Sequence, residues 1–416
     1  TSIKMRIALY IILFVLSQLT AHAQESRFIF QESILDSIYS KTLKETRSIY
    51  VQLPESYGVN PNQKYPVAYI IDGEVFLPTV RNVLEYYSGG FMPEMVLVGI
   101  SNAENRTRDL TPSKISTKYG MPFNEENGEA DKFLTFISKE LIPYVESKYP
   151  VTNYRTIIGH SYGGLFAIYS LLHTPALFAN YVCVDPSLDW DNEIILKRAK
   201  DVFASNYLKN KALYMSLSGQ LHMQNSEITF DNVMQDTSDF TAFPRANISF
   251  SNWIKKNKEN GLDYTWQFYP KDLHGTIPLP SIMDGLLAVF EWFQMENTDQ
   301  INDFDTSKEE LFRIIKYREN KLKEHFGYLE APYPEDLLNM SGYMNMEMNQ
   351  PEKAKMYFEL AIAYYPESAN ACDSFSEYYE SQKDYDNAIK LASKAFEISG
   401  SDFHKKRIET LRAKKL

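Results

Sequence analysis

The chain has 416 residues, 44% hydrophobic and 23% charged, a globular balance that excludes extensive disorder and leaves room for a large core plus a second domain. Acidic residues number 54 against 43 Lys and Arg, and the formal net charge of −11 argues against nucleic-acid binding. Cys183, in an apolar run, and Cys372, far along the chain, read as two buried thiols and not as a disulfide.

In chain order, Lys4 and Arg6 precede the apolar stretch Ile7 to Leu16, which leads to Ala21-His22-Ala23. A short basic segment, a short apolar core and a small-x-small site predict a secretory signal peptide over residues 1–23, cleaved before Gln24. The expected location is periplasmic or extracellular, with no membrane span after cleavage. From residue 48 to 270, β-type apolar runs alternate with longer helical patterns: Ser48–Leu53, Pro66–Ile71, Met95–Ile100, Thr156–Gly159, Tyr181–Val184, Ala212–Leu217 and Tyr264–Tyr269. Near-continuous Val, Ile and Leu content suits strands buried on both faces, and Phe133–Lys148 shows the clearest helical period. The expectation is an α/β domain over residues 24–296, a mostly parallel central sheet between two helical layers.

The run at Ile157-Ile158 opens directly into Gly159-His160-Ser161-Tyr162-Gly163-Gly164 and then into a helical stretch. A nucleophilic serine needs such a sharp strand-to-helix turn, and the flanking glycines permit it, so Ser161 is the candidate nucleophile; the plain alternative is a glycine-rich turn with an idle serine. After the last strand, Asp272-Leu273-His274-Gly275 offers His274 as general base, since an imidazole titrating near neutrality can take the serine proton and return it. The acid is expected after the strand Ala212–Leu217, where Glu227, Asp231, Asp236 and Asp239 stand; Asp236 is favoured, although a turn-capping role suits it equally. Asp185, in Asp185-Pro186-Ser187, is a further candidate that reads more simply as a rigid turn. For the oxyanion, the Tyr162 amide is one expected donor, and Gly73 or Glu74, after the strand Pro66–Ile71, supplies the other. Arg106 and Arg108 suit a substrate anion or a structural ion pair, and Trp190 and Tyr162 suit a platform for a sugar or aromatic ring.

Together Tyr69-Ile70-Ile71-Asp72-Gly73, Arg106-Thr107-Arg108-Asp109-Leu110-Thr111-Pro112, Ala130-Asp131-Lys132-Phe133, the elbow, Asp185-Pro186-Ser187 and Asp272-Leu273-His274-Gly275 resemble the putative esterase family of α/β-hydrolases. That family includes esterase D-like, feruloyl or acetylxylan, and siderophore esterases, and is related to mycolyltransferases. The resemblance spans Gln31 to Phe293 and implies the α/β-hydrolase fold, Ser161 as nucleophile, His274 as base and Gly73 or its neighbour in the oxyanion hole. One departure is that Gln220, Leu221, His222 and Met223 follow Gly219, with no acid among them, which leaves a Ser/His dyad open.

Past Phe293, Asn297 to Thr306 is polar and reads as a linker, with 297–334 connecting to an all-helical segment over 335–416. Pro351 and Tyr385, Ala354 and Ala388, and Ala361 and Ala395 are each 34 positions apart, the tetratricopeptide period, which predicts two repeats at Asp336–Ala369 and Asn370–Asp402 and a trailing helix. Two units bury little core alone, so they are expected to dock on preceding helices or on the first domain, and to serve as a partner groove, as a surface for self-association or as a stabilising cap. No H-E-x-x-H, cysteine cluster or phosphate loop is present, so no cofactor or metal is expected. The sequence as a whole reads as a secreted serine esterase acting on a small-molecule or carbohydrate-linked ester. An acyltransferase of the mycolyltransferase type and a non-catalytic binder acting through the repeats are the alternatives.

Overall fold

The computed structural model describes residues 33–58, 63–203 and 208–415, so the expected signal peptide lies outside the described residues. Leu35–Leu416 form one compact unit.

Ten strands are present among the described residues: β1 (Ile34–Ser40), β2 (Glu45–Gln52), β3 (Tyr65–Ile71), β4 (Val96–Ile100), β5 (Thr117–Lys118), β6 (Met121–Pro122), β7 (Val151–His160), β8 (Asn180–Val184), β9 (Ala212–Ser218) and β10 (Asp263–Tyr269). Eight of them build one sheet in the order β1-β2-β4-β3-β7-β8-β9-β10, and β5 and β6 form a separate hairpin. β2 runs antiparallel to β4, whereas the pairs from β4 through β3, β7, β8 and β9 to β10 are parallel. Every expected run became a strand. β1 and the two-residue strands β5 and β6 were not expected: the apolar residues of β1, Leu35 and Tyr39 among them, are broken by Asp36 and Ser37 and largely exposed, and β5 and β6 are too short to show a period.

The alternation of side chains along β3 makes two cores from one strand. Val67, Tyr69 and Ile71 join the layer of helices Ala130–Phe136, Tyr162–His173 and Ala242–Lys256, while Ala68 and Ile70 face Gly73–Tyr86 and Pro278–Val289. The crossover before β7 is helical as expected, although Ala130–Phe136 passes through a π-helical turn at Ile137–Leu141 before continuing as Ile142–Lys148. Both cysteines are buried and free.

The C-terminal part is entirely helical. Glu335–Glu347 pairs with Pro351–Tyr364, Ala369–Ser381 pairs with Tyr385–Ser399, and Asp402–Lys415 closes the array. The alanines of the 34-residue spacing, Ala354, Ala361, Ala388 and Ala395, are all fully buried, where only a small side chain lets neighbouring helices approach. Lys308–Phe326 ties this array to the sheet domain. The Arg318 guanidinium on it donates to the carbonyls of Gly90 at 3.0 Å, Gln294 at 2.9 Å and Pro332 at 2.6 Å, and Leu322 and Phe326 enter the core of the sheet domain. No helix among the described residues is long and apolar enough to cross a membrane.

Candidate active site

The C-terminal ends of β3, β7 and β8, three consecutive strands in the sheet, each deliver a non-glycine residue with positive φ: Asp72 at 54°, Ser161 at 58° and Asp185 at 43°. Side chains rarely adopt that backbone, and three such residues side by side mark a place where turns are held against their local preference. At the central one, the helix Tyr162–His173 comes so close to β7 that a Cβ on Gly159 would lie 2.3 Å from the Gly163 carbonyl. Glycine is therefore required at that position, and Ser161 is lifted clear of the sheet.

His274, on the loop after β10, brings Nε2 to 3.1 Å from Ser161 Oγ. Its Nδ1 lies 2.7 Å from Asp185 Oδ2, and the other oxygen of that fully buried carboxylate accepts the Ser218 N–H at 2.9 Å. The carboxylate beside the imidazole is thus Asp185 at the end of β8, and not Asp236. Asp236 instead accepts from the Ser238 N–H at 2.7 Å and the Thr241 hydroxyl at 2.9 Å, a local turn whose hydrogen bonds, from Ser238 foremost, lower its pKa. After β9, where the acid was expected, Gln220 accepts the His274 N–H at 3.2 Å and so holds the histidine loop through its backbone.

His160 sits directly behind the site. Its ring is 4.5 Å from that of His274, and its Nε2–H donates to the His274 carbonyl at 2.9 Å, which joins the elbow to the histidine loop. Burial, helped by the neighbouring His274, pushes its pKa down to about 4, so it is a neutral strut.

The Asp72-Gly73 turn adjoins the elbow: the Asp72 carboxylate and the Ile71 side chain both lie within contact distance of a Cβ built on Gly163. Gly73 and Glu74 open the helix Gly73–Tyr86 and Tyr162 opens the helix Tyr162–His173, so their amides have no partner within those helices and the positive end of each helix lies at one of the two adjoining turns. The Glu74 side chain itself is exposed. Arg106 fastens the arrangement, donating to both Asp72 oxygens at 3.0 Å and to the His160 carbonyl at 3.1 Å.

A cavity of about 770 Å³ opens over Ser161 and His274, walled by Lys118, Tyr119 and Met121 of the β5–β6 hairpin, by Tyr162, and by Phe240 and Phe243. Of the expected binding residues Tyr162 alone lines it; Glu74, Arg106, Arg108 and Trp190 do not. Arg108 is bound to Glu45 and Asp109 in a cluster that also holds Arg47, and Trp190 is fully buried, its Nε1–H donating to the Ser113 carbonyl at 3.0 Å. Both are structural. Trp190 supports the site from behind the wall, its ring edge-to-face with that of Tyr162 at 5.4 Å between centroids and lying 5.4 Å from the Lys118 ammonium. The hairpin residues Lys118, Tyr119 and Met121 were missed, since nothing local marks them. Among the described residues no group of three or more His, Cys, Asp or Glu is placed to hold a metal ion.

A family model described as putative esterase matches residues 40–270, more than half of the chain. The chain belongs to the putative esterase family. As a member it is a carboxylic ester hydrolase with the α/β-hydrolase fold, and a second model, tetratricopeptide repeat, matches residues 335–368. It is 28% identical to ferri-bacillibactin esterase BesA of Bacillus subtilis over 46% of this chain and 72% of that one. It is 41% identical to the siderophore enterobactin esterase of Emericella nidulans over 36% of this chain and 53% of that one. Among solved structures, an IroE-like serine hydrolase from Shewanella oneidensis aligns with a TM-score of 0.65 at 27% identity, covering 80% of this chain and all of that one. An uncharacterised protein from Capnocytophaga ochracea, at 21% identity and a TM-score of 0.56, covers 92% of this chain and 100% of its own, so this esterase's fold recurs there well beyond the matched family region.

Proposed function

We propose that this esterase is an exported serine hydrolase that cleaves a siderophore ester through an acyl-enzyme on Ser161. The observation that carries the reading is the continuous contact from Ser161 Oγ through the His274 imidazole to Asp185, at 3.1 Å and 2.7 Å. Asp185 keeps the imidazole proton on Nδ1, Nε2 takes the Ser161 proton, and Ser161 Oγ attacks the ester carbonyl. The carbonyl oxygen draws on the Tyr162 amide and on that of Gly73 or Glu74. Nε2 then protonates the departing alcohol, and water hydrolyses the acyl-enzyme by the same steps. The siderophore assignment draws on relatives named for such esters, and export on Lys4, Arg6, the apolar run Ile7 to Leu16 and Ala21-His22-Ala23.

The test is hydrolysis of enterobactin and of p-nitrophenyl butyrate by the chain from Gln24, beside Ser161→Ala and His274→Ala, with a fluorophosphonate probe reporting on Ser161. Both variants are expected to lose at least about 10³-fold in kcat. Turnover that survives Ser161→Ala, or a parent chain that the probe leaves unlabelled, rejects the serine mechanism. Cleavage of the butyrate but not of enterobactin removes only the siderophore assignment. For export, N-terminal sequencing of the exported protein should begin at Gln24.

A further inference from the structure

Ser161 Oγ has a second polar neighbour. The Ser187 hydroxyl lies 3.1 Å from it, and among the described residues this is the one hydrogen bond found for that hydroxyl. Ser187 is only 4% exposed, and its position is fixed from several directions. Its N–H donates to the Ser161 carbonyl at 3.1 Å, the preceding Pro186 carbonyl accepts from Asn247 Nδ2 at 2.8 Å, and Pro186 packs on the backbone at Gly164.

Counting protons settles the direction of the Ser187 bond. A carboxylate at Nδ1 places the imidazole proton there, which leaves Nε2 as an acceptor, and the single hydroxyl proton of Ser161 is directed to Nε2. Ser187 must then donate to Ser161 Oγ. A donor aimed at an oxygen matters most when that oxygen carries charge, because a hydrogen bond to a charged group is about twice as strong as one to a neutral group.

We propose that Ser187 is a catalytic residue whose hydroxyl stabilises negative charge on Ser161 Oγ, both when that atom enters as nucleophile and when it leaves. This rests on Ser161 being the nucleophile. In acylation the Ser161 O–H bond breaks, its proton passes to Nε2, the Oγ–C bond forms and the carbonyl pair moves onto oxygen. Collapse expels the alcohol oxygen, which takes the proton from Nε2. In deacylation a water proton passes to Nε2, the water oxygen bonds to the acyl carbon, and collapse breaks the C–Oγ bond with return of that proton to Ser161. Ser187 keeps its own proton throughout and donates to the same oxygen in both halves.

The experiment compares the parent with Ser187→Ala, Ser187→Cys and Ser161→Ala on p-nitrophenyl butyrate, reading the pre-steady-state burst, kcat, KM and the melting temperature. Ser187→Ala is expected to slow the burst and the steady state by a similar factor, about 10- to 100-fold, with KM and melting unchanged. Ser187→Cys fills the same space with a poor donor and should stay slow. A Ser187→Ala enzyme within twofold of the parent, a loss confined to KM, or full rescue by cysteine overturns the proposal. If Ser161→Ala is inactive while Ser187→Ala matches the parent, only this inference falls; if Ser161→Ala is active, the nucleophile assignment falls with it.

Discussion

Replacing Asp185 by asparagine changes one oxygen into an amide nitrogen in a fully buried site, and the surroundings dictate which one. The Ser218 N–H, fixed by the backbone, keeps an oxygen acceptor in front of it, so the new NH₂ must face His274 Nδ1. Nδ1 then has to accept, which moves the imidazole proton to Nε2, and a protonated Nε2 cannot take the proton of Ser161 3.1 Å away. The expected loss in kcat is about 10³- to 10⁴-fold, or about 4 to 5.5 kcal/mol in activation free energy, the scale of a triad acid whose loss imposes the wrong tautomer. Asp236→Asn, by contrast, should stay within twofold, since Asp236 bonds only to its own turn. The assay is p-nitrophenyl butyrate hydrolysis from pH 5 to 9, with melting curves to show that both variants are folded. An Asp185→Asn enzyme within tenfold of the parent would mean a working Ser/His dyad, and a large loss in Asp236→Asn would refute the geometry altogether.

Two further outcomes follow from the packing behind the site. Gly73→Ala would place a methyl 2.3 Å from Gly99 Cα and 2.6 Å from the Ile100 nitrogen, backbone atoms that cannot step aside; a loss of about 3 kcal/mol in urea unfolding is expected, with kcat falling as the Gly73 and Glu74 amides shift, and unchanged stability would show that the turn is not tightly seated. His160, with its pKa lowered from 6.5 to about 4, binds a proton in the unfolded chain before it does so in the folded one, so its contribution is complete above about pH 6.5 and is lost as pH falls toward 4, on the order of 3 kcal/mol in all. His160→Gln retains a donor for the His274 carbonyl and does not titrate. Its unfolding free energy should therefore fall less steeply than the parent's over that window, and parallel curves would refute the strut's neutrality.

The strands were legible because burial on both faces of a parallel sheet writes itself as a continuous apolar run, as in Tyr65–Ile71, every residue of which is buried. The elbow was legible because its glycines answer a local backbone demand. The helical repeats were legible because the same small side chain must recur wherever two helices touch. Arg108 and Trp190 were read as candidate binding groups because their chemistry suits a ligand; the structure gives that chemistry to Glu45, Asp109 and the Ser113 carbonyl instead. The residues that wall the cavity opposite Ser161 come from a hairpin of two-residue strands, too short for any period to show.

From the sequence alone came seven of the eight strands of the main sheet, the strand-to-helix turn at Ser161 and the place of His274 after the last strand, all consequences of apolar period and turn chemistry acting over a few residues. The partner of His274 was beyond that reach. Ser161 and His274 are 113 positions apart and Asp185 and His274 are 89, and which aspartate meets the imidazole depends on β8 lying next to β7 in the sheet. Strand neighbours are chosen by the packing of the whole domain, and a carboxylate read in isolation as a turn becomes a member of the site only when that packing carries it there.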